Sequence, residues 1–197
     1  MLDTINHIDQ QFFISINNGL QNPFLDWLCP ILRNQKSWYP LYVILIYFIY
    51  KKYQKQTLWI VVGAAILILI SDQVSANLIK NAVQRLRPCS DPSFQNQVHL
   101  LVNCGNGFSF ISAHATNHFA LAFYMMGFFE TQKKWFIPVA VIWASSIAFS
   151  QVYVGVHYPF DVICGALLGS FLGYIFMQLY KFIFKKTEYN KQQTLNN

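Results

Sequence analysis

Long segments without a charged side chain alternate with short charged ones along most of this chain. Five uncharged segments run over residues 38–50, 57–71, 107–129, 135–156 and 162–180. A helix needs about 20 residues to cross about 30 Å of hydrocarbon. The segment at 57–71 reaches that length if its helix continues toward Lys80, and tyrosines in and after the 38–50 segment are typical interfacial anchors. The pattern predicts a protein whose chain crosses a membrane several times.

The first 20 residues have a different, amphipathic pattern. Apolar side chains recur there at three- and four-residue spacing, with polar side chains between them. The apolar positions are Ile5, Ile8, Phe12, Phe13 and Ile16. This spacing predicts a helix that lies in the membrane interface rather than across it. Residues 22–34 (NPFLDWLCPILRN) then predict a short first span that a proline interrupts.

Together these elements predict an all-α fold, a polytopic membrane bundle of about six transmembrane helices. The interfacial helix takes residues 1–20, the membrane domain residues 21–184, and a polar cytoplasmic tail residues 185–197. Hydrophobic residues make up 54% of the chain and charged ones 11%, which argues against a soluble domain. The tail lacks the apolar side chains of a packed segment, so we expect it to be disordered.

The net charge of +6 is better explained by membrane topology than by nucleic-acid binding. In a topology of six alternating spans, nine lysines fall on one side and the other five cations on the opposite side. The nine are Lys51, Lys52, Lys55, Lys133, Lys134, Lys181, Lys185, Lys186 and Lys191. The five are Arg33, Lys36, Lys80, Arg85 and Arg87. The positive-inside rule places the nine lysines and both termini in the cytoplasm, and the loop at 87–112 outside.

The four cysteines fall into two pairs with different surroundings. Cys29 and Cys164 lie in apolar segments, where buried free thiols are expected. Cys89 and Cys104 lie in the outward loop, which faces an oxidising compartment. A bridge between them would be worth about 3 kcal/mol in the chain-entropy model. The sequence leaves open whether this bridge forms.

Polar side chains cluster at the outward ends of the last four predicted spans. The clusters are residues 80–88 (KNAVQRLRP), 109–118 (SFISAHATNH) and 150–161 (SQVYVGVHYPFD). Each alone has a simple explanation, as snorkelling cations, a helix-end histidine or a surface pair of opposite charges. Charged groups at membrane depth cost about 2.5–3.5 kcal/mol each, so they persist mainly where they pair or bind something charged. All three clusters reach the same membrane face, which predicts an anion-binding site there.

Two histidines beside such a site indicate phosphoryl transfer. His157 is the predicted nucleophile, because Asp161 one helical turn later can accept its second N–H and stabilise the imidazolium. Pro159 between them is suited to a first helical turn. The phosphohistidine formed on His157 would then be cleaved by water. His114, on another helix, would protonate the leaving oxygen and later activate that water.

Cations and helix-terminal amides would bind the phosphoryl oxygens. Lys80 and Arg87 are the predicted clamp, Arg87 with its planar fork. Ser112 and the backbone N–H groups of Ala113 and His114 would complete the phosphate cradle.

The three clusters resemble the signature of the type 2 phosphatidic acid phosphatase superfamily of integral-membrane lipid phosphatases. Residues 80–88 match its first element, a lysine followed after six residues by Arg-Pro. Residues 111–114 (ISAH) stand where the family has Pro-Ser-Gly-His, and residues 150–161 where it has Ser-Arg, five residues, His, three residues and Asp. The resemblance covers about residues 57–180. It implies a six-span bundle that hydrolyses lipid phosphates through a phosphohistidine, without a metal or another cofactor.

The chain departs from the family signature at three positions. Ile111 and Ala113 replace the proline and the glycine, although the serine and histidine keep their spacing. Gln151 replaces the family arginine and offers neutral donors to the phosphate, a loss of about 2–4 kcal/mol in the transition state. Arg85, close to Arg87 in the chain, is a candidate substitute. Otherwise the site binds lipid phosphate and turns over slowly or not at all.

The resemblance implies undecaprenyl diphosphate as the leading substrate, cleaved at the outer face of a bacterial inner membrane. Phosphatidylglycerophosphate, phosphatidic acid and lipid A are alternative substrates. Besides its lipid phosphate substrate and membrane lipids, the chain shows no sign of an obligatory protein partner, and the lack of a soluble domain argues against a protein substrate.

Two other function classes compete with the enzyme. In a non-catalytic lipid-phosphate binder or transporter, Gln151 would mark lost chemistry, but a binder has little use for His157 held by Asp161. A proton-coupled transporter would need ionisable side chains near the bilayer centre on several spans, and only Asp72 comes close.

Two further patterns have simple structural readings. His118, one turn after His114, is a second acid, a metal partner or, as we favour, a hydrogen-bonded bystander, because further zinc ligands at suitable spacing are missing. Gly165, Gly169 and Gly173 recur every four residues, which favours close helix packing over a substrate groove.

Overall fold

The computed structural model describes residues 2–129 and 133–195, and these residues form a bundle of helices. We number the helices in chain order. They are α1 Leu2–Asn17, α2 Pro23–Arg33, α3 Tyr39–Tyr53, α4 Thr57–Asp72, α5 Lys80–Val83, α6 Ala113–Met125, α7 Lys133–Tyr153 and α8 Pro159–Leu195. A π-helical stretch, Gln73–Ile79, joins α4 to α5 without a break.

Within the described part of the chain, three helical stretches are long and apolar enough to cross a membrane. These are Gln35–Val83, Lys134–Tyr153 and Pro159–Phe184. The first stretch contains two passes, because a residue with positive φ, Gln54, ends α3 and lets α4 pack back against it. The predicted all-α membrane bundle is confirmed, and the count of six helices, α2 to α4 and α6 to α8, is compatible with the structure.

The structure corrects the path predicted for the amino-terminal part. Helix α2 has 11 residues, about half of what a crossing needs. Its Asp26 accepts a 2.6 Å hydrogen bond from the hydroxyl of Tyr153 at the end of α7, and its Cys29 is buried in the same cluster. Helix α2 therefore stays at the end of the bundle that carries the 85–112 loop. The amino terminus was expected at the opposite end.

Helix α1 packs against that same end through a stripe that the apolar pattern did not predict. Asp9, Phe13 and Asn17, spaced four residues apart, are buried. Phe13 packs edge-on against Phe94 and Tyr158, and the Asn17 side-chain amide donates to the carbonyl oxygens of His99 and Tyr153. The apolar side chains of Ile8 and Phe12 instead remain 45% and 59% exposed. Helix α1 therefore uses a partly polar face to bind the protein and leaves an apolar face outward.

Close packing of α6 against α8 forms the centre of the bundle. A Cβ atom on Gly169 would lie 2.2 Å from the carbonyl oxygen of Thr116, and one on Gly173 would lie 2.3 Å from that of Ala120. Gly165 meets the carbonyl oxygen of Ser112 in the same way. The prediction that these glycines serve helix packing is confirmed.

The structure also decides two points about loops and tail. Cys89 and Cys104 are bridged, so the bridge that the sequence left open is formed. Cys29 is a buried free thiol as predicted, whereas Cys164 is free but only partly buried. Helix α8 continues to Leu195, through the stretch where the sequence predicted a disordered tail.

Candidate active site

The three polar clusters meet at the end of the bundle that carries the 85–112 loop. Lys80 opens α5, Ser112 caps α6, and Asp161 lies in the first turn of α8. The backbone N–H of Ser112 donates to the carbonyl oxygen of Asp161 at 3.0 Å, which ties the start of α6 to the start of α8. His114 lies in the first turn of α6, and His157 lies in the turn just before α8.

His157 is buried and held through one ring nitrogen. Its Nδ1 lies 3.5 Å from Oδ2 of Asp161 and 3.3 Å from the hydroxyl of Ser109. Ser109 donates to the same carboxylate oxygen, which also accepts the backbone N–H of Tyr158 at 2.9 Å. Because Nδ1 faces the carboxylate, Nε2 is the nitrogen that remains for attack on phosphorus.

A tight turn between α7 and α8 sets the position of His157. Gly155 has a φ of +91°, and a Cβ there would lie 2.7 Å from Cγ1 of Val98. The backbone N–H groups of Val156 and His157 both donate to the carbonyl oxygen of Gln151 at 3.2 Å. Only glycine meets both requirements of conformation and space at position 155.

Burial keeps the His157 imidazole neutral. It lowers the pKa of His157 to about 4, the nearby Arg87 and Lys80 lower it further, and Asp161 opposes them. A neutral imidazole is the form that can attack, and the charges of Arg87 and Lys80 act on this ring. The structure thus brings the predicted nucleophile and the predicted clamp together.

Arg85 binds carboxylates rather than an open anion site. Its Nη1 lies 2.9 Å from Oδ1 of Asp161, and its Nη2 lies 2.7 Å from Oδ2 of Asp9 in α1. The guanidinium also stacks on the Tyr158 ring at 4.0 Å, and the backbone N–H of Phe160 donates to Asp9 at 2.9 Å. Burial would lower the pKa of Arg85, but the two carboxylates outweigh it and raise that pKa. The expectation that Arg85 substitutes for the missing arginine as a phosphate ligand therefore does not fit its contacts.

Arg87 and the start of α6 are the other groups predicted to bind the phosphate. Arg87 donates from Nε to the carbonyl oxygen of Gly107 at 3.2 Å. The Ser112 hydroxyl accepts the N–H of Ala115. The N–H groups of Ala113 and His114 have no intrahelical acceptors, because they are the first amides of α6. Such amides at a helix start bind anions.

His118 has the contacts of a supporting residue. Its Nδ1 donates to the carbonyl oxygen of His114 at 2.8 Å, and its ring packs edge-on against Trp143. Among the described residues, no group of three or more His, Cys, Asp or Glu side chains could hold a metal ion.

The comparisons with known proteins identify the family. The model of the PAP2 superfamily matches residues 57–185. The chain belongs to the PAP2 superfamily.

Individual PAP2 proteins resemble this chain over most of its length. A lipid A 4'-phosphatase of Bacteroides thetaiotaomicron is 32% identical over 89% of this chain and 78% of its own length. An undecaprenyl-diphosphatase of Sulfolobus acidocaldarius is 31% identical over 72% of this chain and 63% of its own. The crystal structure of Aquifex aeolicus LpxE matches with a TM-score of 0.68 and 25% identity, over 85% of this chain and 93% of that one.

Gln151 gives this PAP2 site an unusual buried amide. Its side chain is 0% exposed, and its Oε1 and Nε2 atoms have no hydrogen-bond partner in the described protein. The residue precedes His157 by six positions, and its carbonyl oxygen accepts the His157 N–H. The amide of Gln151 therefore has both of its polar atoms unpaired within the described protein.

Sequence reasoning missed three residues of this PAP2 site. Ser109 fell inside a recognised cluster but had no assigned role, and the structure places it on both His157 and Asp161. Asp9 was counted on the polar face of α1, although its four-residue spacing from Phe13 and Asn17 was a usable signal. Arg33, at the end of α2, was seen only as a topology cation, yet it lines a cavity with His114.

A second, apolar cavity of about 550 Å³ opens between α3, α4 and α6. Aliphatic side chains such as Leu45, Ile49 and Ile68 line it, and it reaches Asn117 and His118, one turn from His114. A hydrocarbon chain can occupy such a groove from the side of the bundle.

Proposed function

We propose that this PAP2 protein removes a phosphate from a membrane lipid in two steps through a phosphohistidine on His157. The observation that carries the proposal is the buried imidazole held by Asp161 and Ser109 beside Lys80 and Arg87. A lipid-phosphate binder needs the cations but has no need of a nucleophile with a fixed tautomer.

In the first step, Nε2 of His157 attacks phosphorus while the bond from phosphorus to the lipid oxygen breaks. His114 protonates that leaving oxygen, and the N–H at Nδ1 of His157 stays hydrogen-bonded to Asp161 as positive charge develops on the ring. Lys80, Arg87 and the first amides of α6 bind the phosphoryl oxygens.

In the second step, water replaces the histidine on phosphorus. His114, now neutral, takes a proton from the attacking water, and the phosphorus–nitrogen bond breaks to release inorganic phosphate. Each step needs no group beyond the lipid, water and these side chains.

Lipid A carrying a 4'-phosphate is the substrate that the comparisons favour. The relative named for that activity matches 89% of this chain, including most of the amino-terminal region. Undecaprenyl diphosphate, which the sequence predicted first, is the second candidate, supported by the relative of that name. Both are lipids whose chains could enter the apolar groove at His118.

We further propose that the site faces the outside of a bacterial cytoplasmic membrane. The lysines at the opposite end of the bundle support this orientation through the positive-inside rule. With α2 at the same end as the site, the same rule puts the amino terminus outside and the carboxyl terminus inside.

Phosphate release in detergent micelles with EDTA tests the reaction. Lipid A, undecaprenyl diphosphate, phosphatidylglycerophosphate and phosphatidic acid are the substrates to compare. Release should survive EDTA, and His157→Ala should reduce it by a factor on the order of 10³ or more. His7→Ala, which alters an exposed histidine of α1, is the control.

Two results would contradict the proposal. Release that depends on a divalent metal would exclude the metal-free route. If the wild type hydrolyses none of the lipids but Gln151→Arg does, the chain is a lipid-phosphate binder that has lost its chemistry.

A further inference from the structure

A polar cavity of about 500 Å³ opens beside His114 and adjoins the apolar groove, with which it shares Gln35 and Tyr39. Arg33 and Lys36 line it, together with the side chains of Asn34 and Gln35. Among the described residues around it there is no carboxylate to neutralise the two cations. Neither cation belongs to the family signature, because both lie before residue 57.

The turn that carries these cations is held firmly. The Asn34 side chain accepts the backbone N–H of Lys36 at 3.1 Å, and the Trp38 indole donates to the carbonyl oxygen of Leu32 at 2.7 Å. Trp38 also packs edge-on against Trp143 of α7. The connection between α2 and α3 is therefore anchored to the bundle at the side of the cavity.

Arg33 lies within electrostatic reach of the phosphate clamp. Burial lowers the pKa of Arg33, and the nearby charge of Arg87 lowers it further. The guanidinium groups of Arg33 and Arg87 repel each other in the free protein. Anions bound between or beside them would stabilise both charges.

We propose that Arg33 and Lys36 form a second anion subsite, which binds a phosphate group on the leaving part of the lipid. The inference rests on the proposed function, in which His114 protonates the leaving oxygen. The part of the substrate beyond that oxygen then lies on the His114 side, where this cavity opens. A guanidinium and an ammonium without a carboxylate partner are suited to a phosphate monoester or diester there.

The substrate class is therefore a lipid headgroup with two phosphates. One is transferred to His157, and the other remains on the product. The second phosphate can be the one directly attached in a diphosphate or one at the far end of a sugar headgroup. The subsite selects against lipids with a single phosphate and a neutral leaving group.

The test compares substrates that differ only in the second phosphate. One pair is bisphosphorylated lipid A and lipid A with the 4'-phosphate alone, and the other is undecaprenyl diphosphate and undecaprenyl phosphate. We expect the wild type to have at least about 10-fold higher kcat/KM for the two-phosphate member of the pair it uses. The two pairs together identify which source of the second phosphate the subsite accepts.

Variants assign that preference to the subsite. Arg33→Gln and Lys36→Gln should each lower kcat/KM for the two-phosphate lipid by about 10-fold and for the one-phosphate lipid by less than about 3-fold. Arg33→Lys should retain most of the preference. Lys55→Gln alters an exposed lysine at the opposite end of the bundle and should leave kcat/KM unchanged for both lipids.

Equal losses on both members of a pair, or no loss, would overturn the subsite. Unfolding temperatures of all variants exclude misfolding as the cause. If the wild type hydrolyses no lipid, binding of inorganic pyrophosphate and orthophosphate separates the two ideas. If pyrophosphate binds more tightly than orthophosphate to the wild type but not to Arg33→Gln, the subsite is supported although the proposed reaction has failed. If the wild type binds both ions equally, the subsite is overturned.

Discussion

Two buried residues, one in the last turn of α7 and one in the turn that follows it, have opposite hydrogen-bonding states. His157 has its Nδ1 on Asp161 and Ser109, whereas both polar atoms of the Gln151 side chain are unpartnered in the described protein. An unsatisfied buried polar group costs about 1–3 kcal/mol. We propose that a phosphate bound at His157 accepts the Gln151 side-chain N–H, which would recover part of this cost when substrate binds.

The depressed pKa of His157 predicts a pH-dependent contribution to stability. Burial lowers this pKa from 6.5 to about 4, so between these values the unfolded chain binds more protons than the folded one. The contribution of His157 is fully present above pH 6.5 and is lost as the pH falls toward about 4. The unfolding temperature of the wild type should therefore decrease relative to His157→Gln across that range. Parallel curves for the two proteins would refute the shift.

Substitutions of Gln151 test whether its amide contributes to catalysis. Gln151→Leu removes the donor and should lower kcat/KM by a factor on the order of 10². Gln151→Arg adds a charged fork beside the phosphate and should raise kcat/KM by about 10-fold or more, at some cost in stability without ligand. Phosphate release and thermal unfolding measure both effects. A fully active Gln151→Leu would mean that the amide does not touch the substrate.

At the scale of elements, α1 completes the support of the catalytic pair. Asp9 binds Arg85, Arg85 binds Asp161, and Asp161 holds His157. The predicted interfacial helix thus contributes a carboxylate that bears on the nucleophile through two intervening side chains. We propose that Asp9 and Arg85 are positioning residues, because their contacts reach His157 only through Asp161.

Removing the α1 carboxylate should lower turnover more than binding. In Asp9→Asn, Arg85 loses one ion pair and Asp161 loses a fixed partner, and a shift of about 1 Å at the nucleophile can cost about 10²-fold in rate. We expect kcat to fall by about 10-fold to 10²-fold with KM within about 3-fold. Steady-state kinetics, with Gln11→Ala on the exposed face of α1 as the control, measure this split. A change in KM alone would assign Asp9 a role in binding instead.

At the scale of the whole molecule, the short α2 is the element on which the proposed topology depends. In the proposed topology α2 does not cross the membrane, and the passes from α3 to α8 put the two termini on opposite sides. The lysines remain concentrated at the end opposite the site, so the positive-inside argument is unaffected.

Epitope tags on the two termini test this topology. Protease added to intact spheroplasts should remove an amino-terminal tag and spare a carboxyl-terminal one. Lysis before protease treatment should expose both tags. Protection of both tags in intact spheroplasts would restore the topology with both termini inside, and would mean that α2 and its flanks cross the membrane.

The sequence by itself determined the membrane bundle and the family of the chain, and it predicted the reacting groups. Transmembrane spans can be predicted from hydrophobic segments, because the length and composition of each segment alone decide whether it can cross the lipid. The pair His157 and Asp161 was readable because one helical turn separates them. The alternation of the predicted spans, rather than any local spacing, predicted that His114, Lys80 and Arg87 share one membrane face.

Only the tertiary structure decided which polar side chain pairs with which partner. Arg85 could have bound phosphate or carboxylate, and the choice depended on Asp9, which is 76 positions earlier in the chain and reaches the site only because α1 packs there. The pairing of Cys89 with Cys104, the turn of α2 and the cavity beside Arg33 likewise depend on which helix faces meet. Sequence periodicity shows which face of a helix is apolar, but the partner of a polar side chain is set by the packing of distant segments.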